Sequence, residues 1–133
     1  MARLAIIICP AMKPSFLCSL LFAAFLCGCA AVAHQPTTMT PIADGDRLTL
    51  SSEVSLRLAT GYGRTLKQGS QWTRAGQVAQ GEVLRPYQHV LTVEGSHIHE
   101  AWIVVKDGSL VGFYLPAERA FSAQEPVRLS FKP

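Results

Sequence analysis

Hydrophobic positions along the chain fall into three regimes. Pro14 to Leu26 (PSFLCSLLFAAFL) is an unbroken, nearly uncharged apolar run, whereas residues 30–46 (AAVAHQPTTMTPIADGD) show no hydrophobic period. From Arg47 onward apolar and polar residues alternate. Leu48, Leu50, Val54, Leu56 and Leu58 share one parity, with Thr49, Glu53, Ser55 and Arg57 on the other. Side chains on a strand point alternately to opposite faces, so this period predicts one or two half-buried strands. A turn at Gly61-Tyr62-Gly63 follows. Beyond it the pattern predicts short strands over 65–67 and 72–74 and around Val78, then a strand over 82–85 that stops against Pro86. Proline lacks the ladder N–H, which suits a sheet edge or a strand end.

The strongest local signal is a hairpin. His97 to Lys106 (HIHEAWIVVK) and Ser109 to Leu115 (SLVGFYL) flank Asp107-Gly108. Asp-Gly adopts the positive backbone angles of a two-residue type I′ turn, whose twist matches that of paired strands. An unbroken register from that turn sets Val105 opposite Leu110, Ile103 opposite Gly112 and Trp102 opposite Phe113, with Trp102 and Phe113 expected in the core. A further strand is expected over 89–94, a helical turn over 117–121, and a closing strand through Val127, Leu129 and Phe131. Many short antiparallel strands at this spacing predict an all-β domain over 47–133, a small antiparallel barrel or a two-sheet sandwich. The aperiodic segment 29–46, with its prolines and threonines, is expected to be a flexible tether.

The N-terminal regime has a different meaning. Arg3 and Lys13 supply positive charge before the apolar run, and small residues surround Cys27-Gly28-Cys29. A charged start, about 7–15 apolar residues and a small-residue cleavage region are the anatomy of an export signal. A bilayer-spanning helix needs about 20 apolar residues, which this run lacks. Met12-Lys13 begins a conventional leader by itself, so translation could start there or at Met1. Leu26-Cys27-Gly28-Cys29 resembles the lipobox of bacterial lipoproteins. That resemblance covers only the leader. It implies a signal peptide over 1–28, a diacylglycerol on the Cys29 thiol, cleavage just before Cys29 and acylation of the new N-terminus. Ala30 follows the cysteine in place of the Asp that retains many enterobacterial lipoproteins in the inner membrane. The expected location is therefore the outer membrane, lipid-anchored and facing the periplasm, with inner-membrane or surface placement as the alternatives.

Cysteine usage fits this reading. All four cysteines, at positions 9, 18, 27 and 29, lie at or before the proposed cleavage point. The domain behind them must fold without a disulfide, a cysteine metal site or a cysteine nucleophile, which a core of roughly a hundred residues can sustain. The formal charge of +3 belongs partly to the leader. Without Arg3 and Lys13, the twelve Lys and Arg fall to ten, against nine Asp and Glu. No basic run of the kind nucleic-acid binding requires remains, so nucleic acid is excluded as a partner.

Two sets of residues carry candidate chemistry. His97 and His99 share a strand face. With Glu100 or Glu94, and a third nitrogen from His34 or His89, they could bind zinc or copper. Polar residues opening a hairpin are equally ordinary on a solvated surface. His99-Glu100 does not extend to a His-Glu-x-x-His motif, since Ile103 stands where the second His belongs. No Gly-x-Ser-x-Gly elbow and no phosphate-binding glycine loop occurs. The second set, Arg85, Tyr87 and Tyr114, places an Arg and two Tyr near strand ends, with Glu118 and Arg119 as a polar rim. Arg and Tyr are common interface anchors, although a sheet of any kind also packs Tyr in its core.

These observations together predict a non-enzymatic envelope lipoprotein that binds or helps assemble another envelope component. Its expected partners are membrane lipid, through the acyl anchor, and an envelope protein. No cofactor beyond the covalent lipid is expected. The alternative is a ligand- or metal-binding lipoprotein that uses His97 and His99. The sequence sets no oligomeric state.

Overall fold

The computed structural model describes residues 30–43 and 45–133; the leader and Cys29 lie outside them. Alternation becomes strand where it was strongest. The run from Leu48 to Leu58 divides into β3 (Arg47–Leu50) and β4 (Val54–Arg57), and the stretch after the Gly61 turn forms β5 (Gly63–Leu66) and β6 (Gln71–Val78). β7 (Gly81–Pro86), β8 (Thr92–Glu94), β9 (Ile98–Glu100), β10 (Trp102–Lys106), β11 (Ser109–Leu115), β12 (Ala120–Arg128) and β13 (Phe131–Lys132) follow. Two short strands precede them, β1 (Gln35–Pro36) and β2 (Thr40–Pro41). The described chain is all-β, with every pairing antiparallel.

Nine strands form one sheet in the order β1-β12-β11-β10-β7-β6-β3-β13, with β2 beside β6, and two separate hairpins pair β4 with β5 and β8 with β9. β12 and β13 lie far apart in that order, yet only Leu129 and Ser130 separate them along the chain. Three Cα–Cα steps reach about 11 Å, whereas the intervening strands would occupy about 30 Å if flat. The sheet must therefore coil until its ends approach. No ladder closes it into a barrel among the described residues; the arrangement is that of a small sandwich.

Coiling gives the sheet two unequal faces. Leu50, Trp72, Leu84, Ile103, Leu110, Phe113 and Leu115 fill the concave side, where Leu56, Leu58 and Leu66 of the β4–β5 hairpin and Val93 of β8 pack against them. The convex side carries a smaller cluster of Val78, Val83, Val104, Tyr114 and Phe121, with Met39 and Trp102 laid against it.

Several details depart from the sequence reading. The Asp107-Gly108 turn is present, with both residues at positive φ (52° and 76°), and Val105 does face Leu110. Beyond that pair Val111 is an extra residue, so Val104 meets Gly112, Ile103 meets Phe113 and Trp102 meets Tyr114. β7 is not an edge, since it lies between β6 and β10 and Pro86 merely ends it. The strand expected over 89–94 shortens to β8, and the run from His97 breaks at Ala101 into β9 and β10. Residues 116–119 form a turn without helix, and the chain then enters β12.

The expected tether differs most. β1 pairs with β12, β2 pairs with β6, Thr37 N donates to Arg119 O, and Ser122 Oγ donates to Ala33 O. Val32 is only 9% exposed. Residues 30–43 thus lie along the domain. Two-residue strands are too short to show a period, and Pro36 and Pro41 each sit on a peripheral strand, where a missing N–H is tolerated.

Candidate functional site

Strand register assembles a transverse row on the convex face. Arg47 pairs with Thr73, and Thr73 with Arg85. The β7–β10 register, carried one step beyond Leu84 and Ile103, sets Arg85 against Trp102. Trp102 pairs with Tyr114, Tyr114 with Phe121, and Phe121 with Gln35. Directly opposed residues of an antiparallel ladder share a face, so the row crosses the sheet from a cationic end to an aromatic one.

The contacts within the row follow from this order. The Arg47 guanidinium lies 3.6 Å from the centroid of the Tyr87 ring. Arg85 stands 5.7 Å from the Trp102 ring, which in turn tilts against Tyr114 at 5.8 Å. Trp102 Nε1 donates to Glu100 Oε1 at 3.3 Å. Neither Arg47 nor Arg85 forms an ion pair among the described residues, whose pairs are Arg64–Glu94, Arg74–Glu82 and His99–Glu118. Cations over aromatic faces contribute about 0.5–1 kcal/mol each at exposed sites. A guanidinium placed over a ring in this way keeps N–H donors for carboxylate or phosphate oxygens.

Arg85, Tyr87 and Tyr114, singled out from the sequence, thus fall on one face. Tyr114 departs from the expected role. It is 6% exposed and supports Trp102 from below, so Trp102, half-buried and placed in the core by sequence reasoning, is the aromatic that reaches solvent. Arg47 was not identified, although its position at the head of an alternating strand was the available signal.

The histidine pair separates. His97 is exposed and precedes β9, and Ile98 between the two histidines is 72% exposed. His99 Nδ1 meets Glu118 Oε1 at 2.5 Å, and its ring centroid lies 6.2 Å from that of His34. A carboxylate only accepts, so Nδ1 carries the proton. His34 Nδ1 likewise donates to Val32 O at 3.0 Å. Glu118 sits below its ordinary carboxyl range, first because of the His99 hydrogen bond, with burial opposing and a backbone hydrogen bond and the His99 and His34 charges assisting. His89 rests edge-on against Trp72 at 4.9 Å, Glu94 pairs with Arg64, and Glu100 accepts from Trp102. The ligand set expected around His97, His99 and Glu100 is therefore not brought together. Among the described residues no group of three His, Cys, Asp or Glu is placed to hold a metal ion.

Known protein families, curated proteins and solved structures were compared with the chain, and none matches it.

Proposed function

We propose that this chain is a non-enzymatic envelope lipoprotein, anchored through the lipid on Cys29 at the outer membrane and facing the periplasm, which binds or helps assemble another envelope component. The partner contact is assigned to the convex face around Arg47, Tyr87, Arg85 and Trp102. One observation carries the assignment: two arginines without ion-pair partners among the described residues are held over aromatic rings on a single face. Arg, Trp and Tyr are the residue types that dominate binding energy at protein interfaces. Pre-positioned guanidinium groups also lose less freedom when a partner docks. The lipobox and the export signal support the compartment, and the absence of cysteine beyond Cys29 suits a module that works by contact.

Crosslinking of the tagged, full-length protein in its native envelope tests this reading. A reproducible, near-stoichiometric protein partner is expected, and Arg47→Ala with Trp102→Ala should each weaken its capture. Truncation of one such anchor costs about 2 kcal/mol, or roughly thirtyfold in affinity. Recovery of lipid and the protein itself alone contradicts it.

A further inference from the structure

We propose that the groove at the open edge of the sandwich takes one acyl chain of the lipid on Cys29; this rests on the lipoprotein reading. The groove has a volume of about 430 Å³ and lies between the two layers, with Phe113 and Ser122 on the large sheet and Leu58 and Val93 on the hairpins. It opens because β1 covers β12 only at Ala120 and Phe121, which leaves the edge beyond them to side chains.

The walls define the ligand chemistry. Most polar side chains there are directed to partners within the protein. Thr60 Oγ1 donates to Glu94 O at 2.5 Å, Ser122 Oγ to Ala33 O at 2.7 Å and Gln124 Nε2 to Arg57 O at 2.9 Å. The Glu94 carboxylate is taken by Arg64, and His34 Nδ1 by Val32 O. What remains for a ligand is largely hydrocarbon, with the exposed Gln35 side chain at the rim. A slender chain without hydrogen-bonding needs matches this lining, and the volume falls within the about 300–1,000 Å³ of small-molecule sites.

The end of the described chain identifies the occupant. Val32 lies on the groove wall, and Ala30 O accepts from Ser96 N at 3.1 Å. Ala30 borders a smaller hollow whose Thr60 also lines the groove. Cys29 directly precedes Ala30 in the chain, so a lipid on it is attached within a few residues' reach of the mouth. A ligand tethered this closely meets its site at millimolar effective concentration, on the order of what short linkers give. An acyl chain held there is withdrawn from the bilayer.

Cells supplied with palmitate bearing a terminal diazirine provide the test. Full-length lipidated protein is purified in mild detergent, irradiated and digested for mass spectrometry. The expected result is a crosslink from the Cys29 lipid to peptides holding residues 58–60, 93, 113 or 121–124. Gln124→Trp and, from the opposite wall, Ala59→Trp fill the groove from its solvent-facing rim. Each should reduce the crosslink at least tenfold with Cys29 still labelled. Labelled Cys29 whose crosslinks go only to detergent or bilayer lipid overturns the inference. Cys29 without any label overturns the lipoprotein reading beneath it.

Discussion

At the residue scale, His99 and Glu118 tie β9 to the turn before β12, and His34 of the N-terminal segment stands beside them. The Glu118 carboxyl is depressed in the folded protein, chiefly by the His99 hydrogen bond. A depressed carboxylate contributes stability in full above the unfolded value, here 4.5, and loses it as pH falls through the lower folded value. Glu118→Gln should therefore be less stable than the parent near neutral pH and converge with it as pH falls below 4.5 and through the lower folded value. Thermal unfolding across that range is the measurement, and a constant difference would contradict the assignment. Gly112 is a second single-residue constraint. An added Cβ would sit 2.4 Å from the Phe121 ring and 2.5 Å from the Ser122 carbonyl oxygen. The ring can shift, but the backbone oxygen in the ladder cannot. Gly112→Ala should cost about 1–3 kcal/mol in urea denaturation.

Elements show where sequence and structure part. Asp107-Gly108 was readable because positive φ at two successive residues has a chemical signature. Gly108→Ala should destabilise by about 1–2 kcal/mol, the usual cost of a Cβ in the left-handed region. The register beyond the turn was not readable. Val111 bulges where the Phe121 ring needs the space over Gly112, and that need arises from β12, a neighbour that local pattern does not reveal. The N-terminal segment was opaque for a related reason: its strands are two residues long, and their partners lie 35 to 86 positions away. Because β1 covers the β12 edge, deletion of residues 30–38 should lower stability and expose that edge to pairing between copies. Concentration-dependent self-association in sedimentation or size-exclusion measurements would reveal it. An equally stable monomer would show that the segment only rests on the surface.

For the whole molecule, alternation sufficed to reach an all-β class and most strand positions, since half-burial imposes period two wherever a strand covers a core. Coiling could not be read, because it follows from β12 and β13 lying at opposite ends of the strand order with two residues between them. The same limit applied to the candidate site. Arg85 and Tyr87 stood out by residue type, but the row from Arg47 to Trp102 exists only once β3, β6, β7 and β10 are in register. His97 and His99 illustrate the converse: spacing alone suggested partners, and packing gave His99 to Glu118 instead. The central claim is that the convex Arg–aromatic face meets a protein partner in the envelope. Its most direct test is site-specific photocrosslinking in living cells, with a photoreactive residue at Arg85 or Thr73 and, as control, at exposed Gln68 in the β5–β6 turn. The account predicts a discrete adduct of one partner from positions 85 and 73 and none from 68. Adducts of equal yield from all three positions, or none from the convex face, would contradict it.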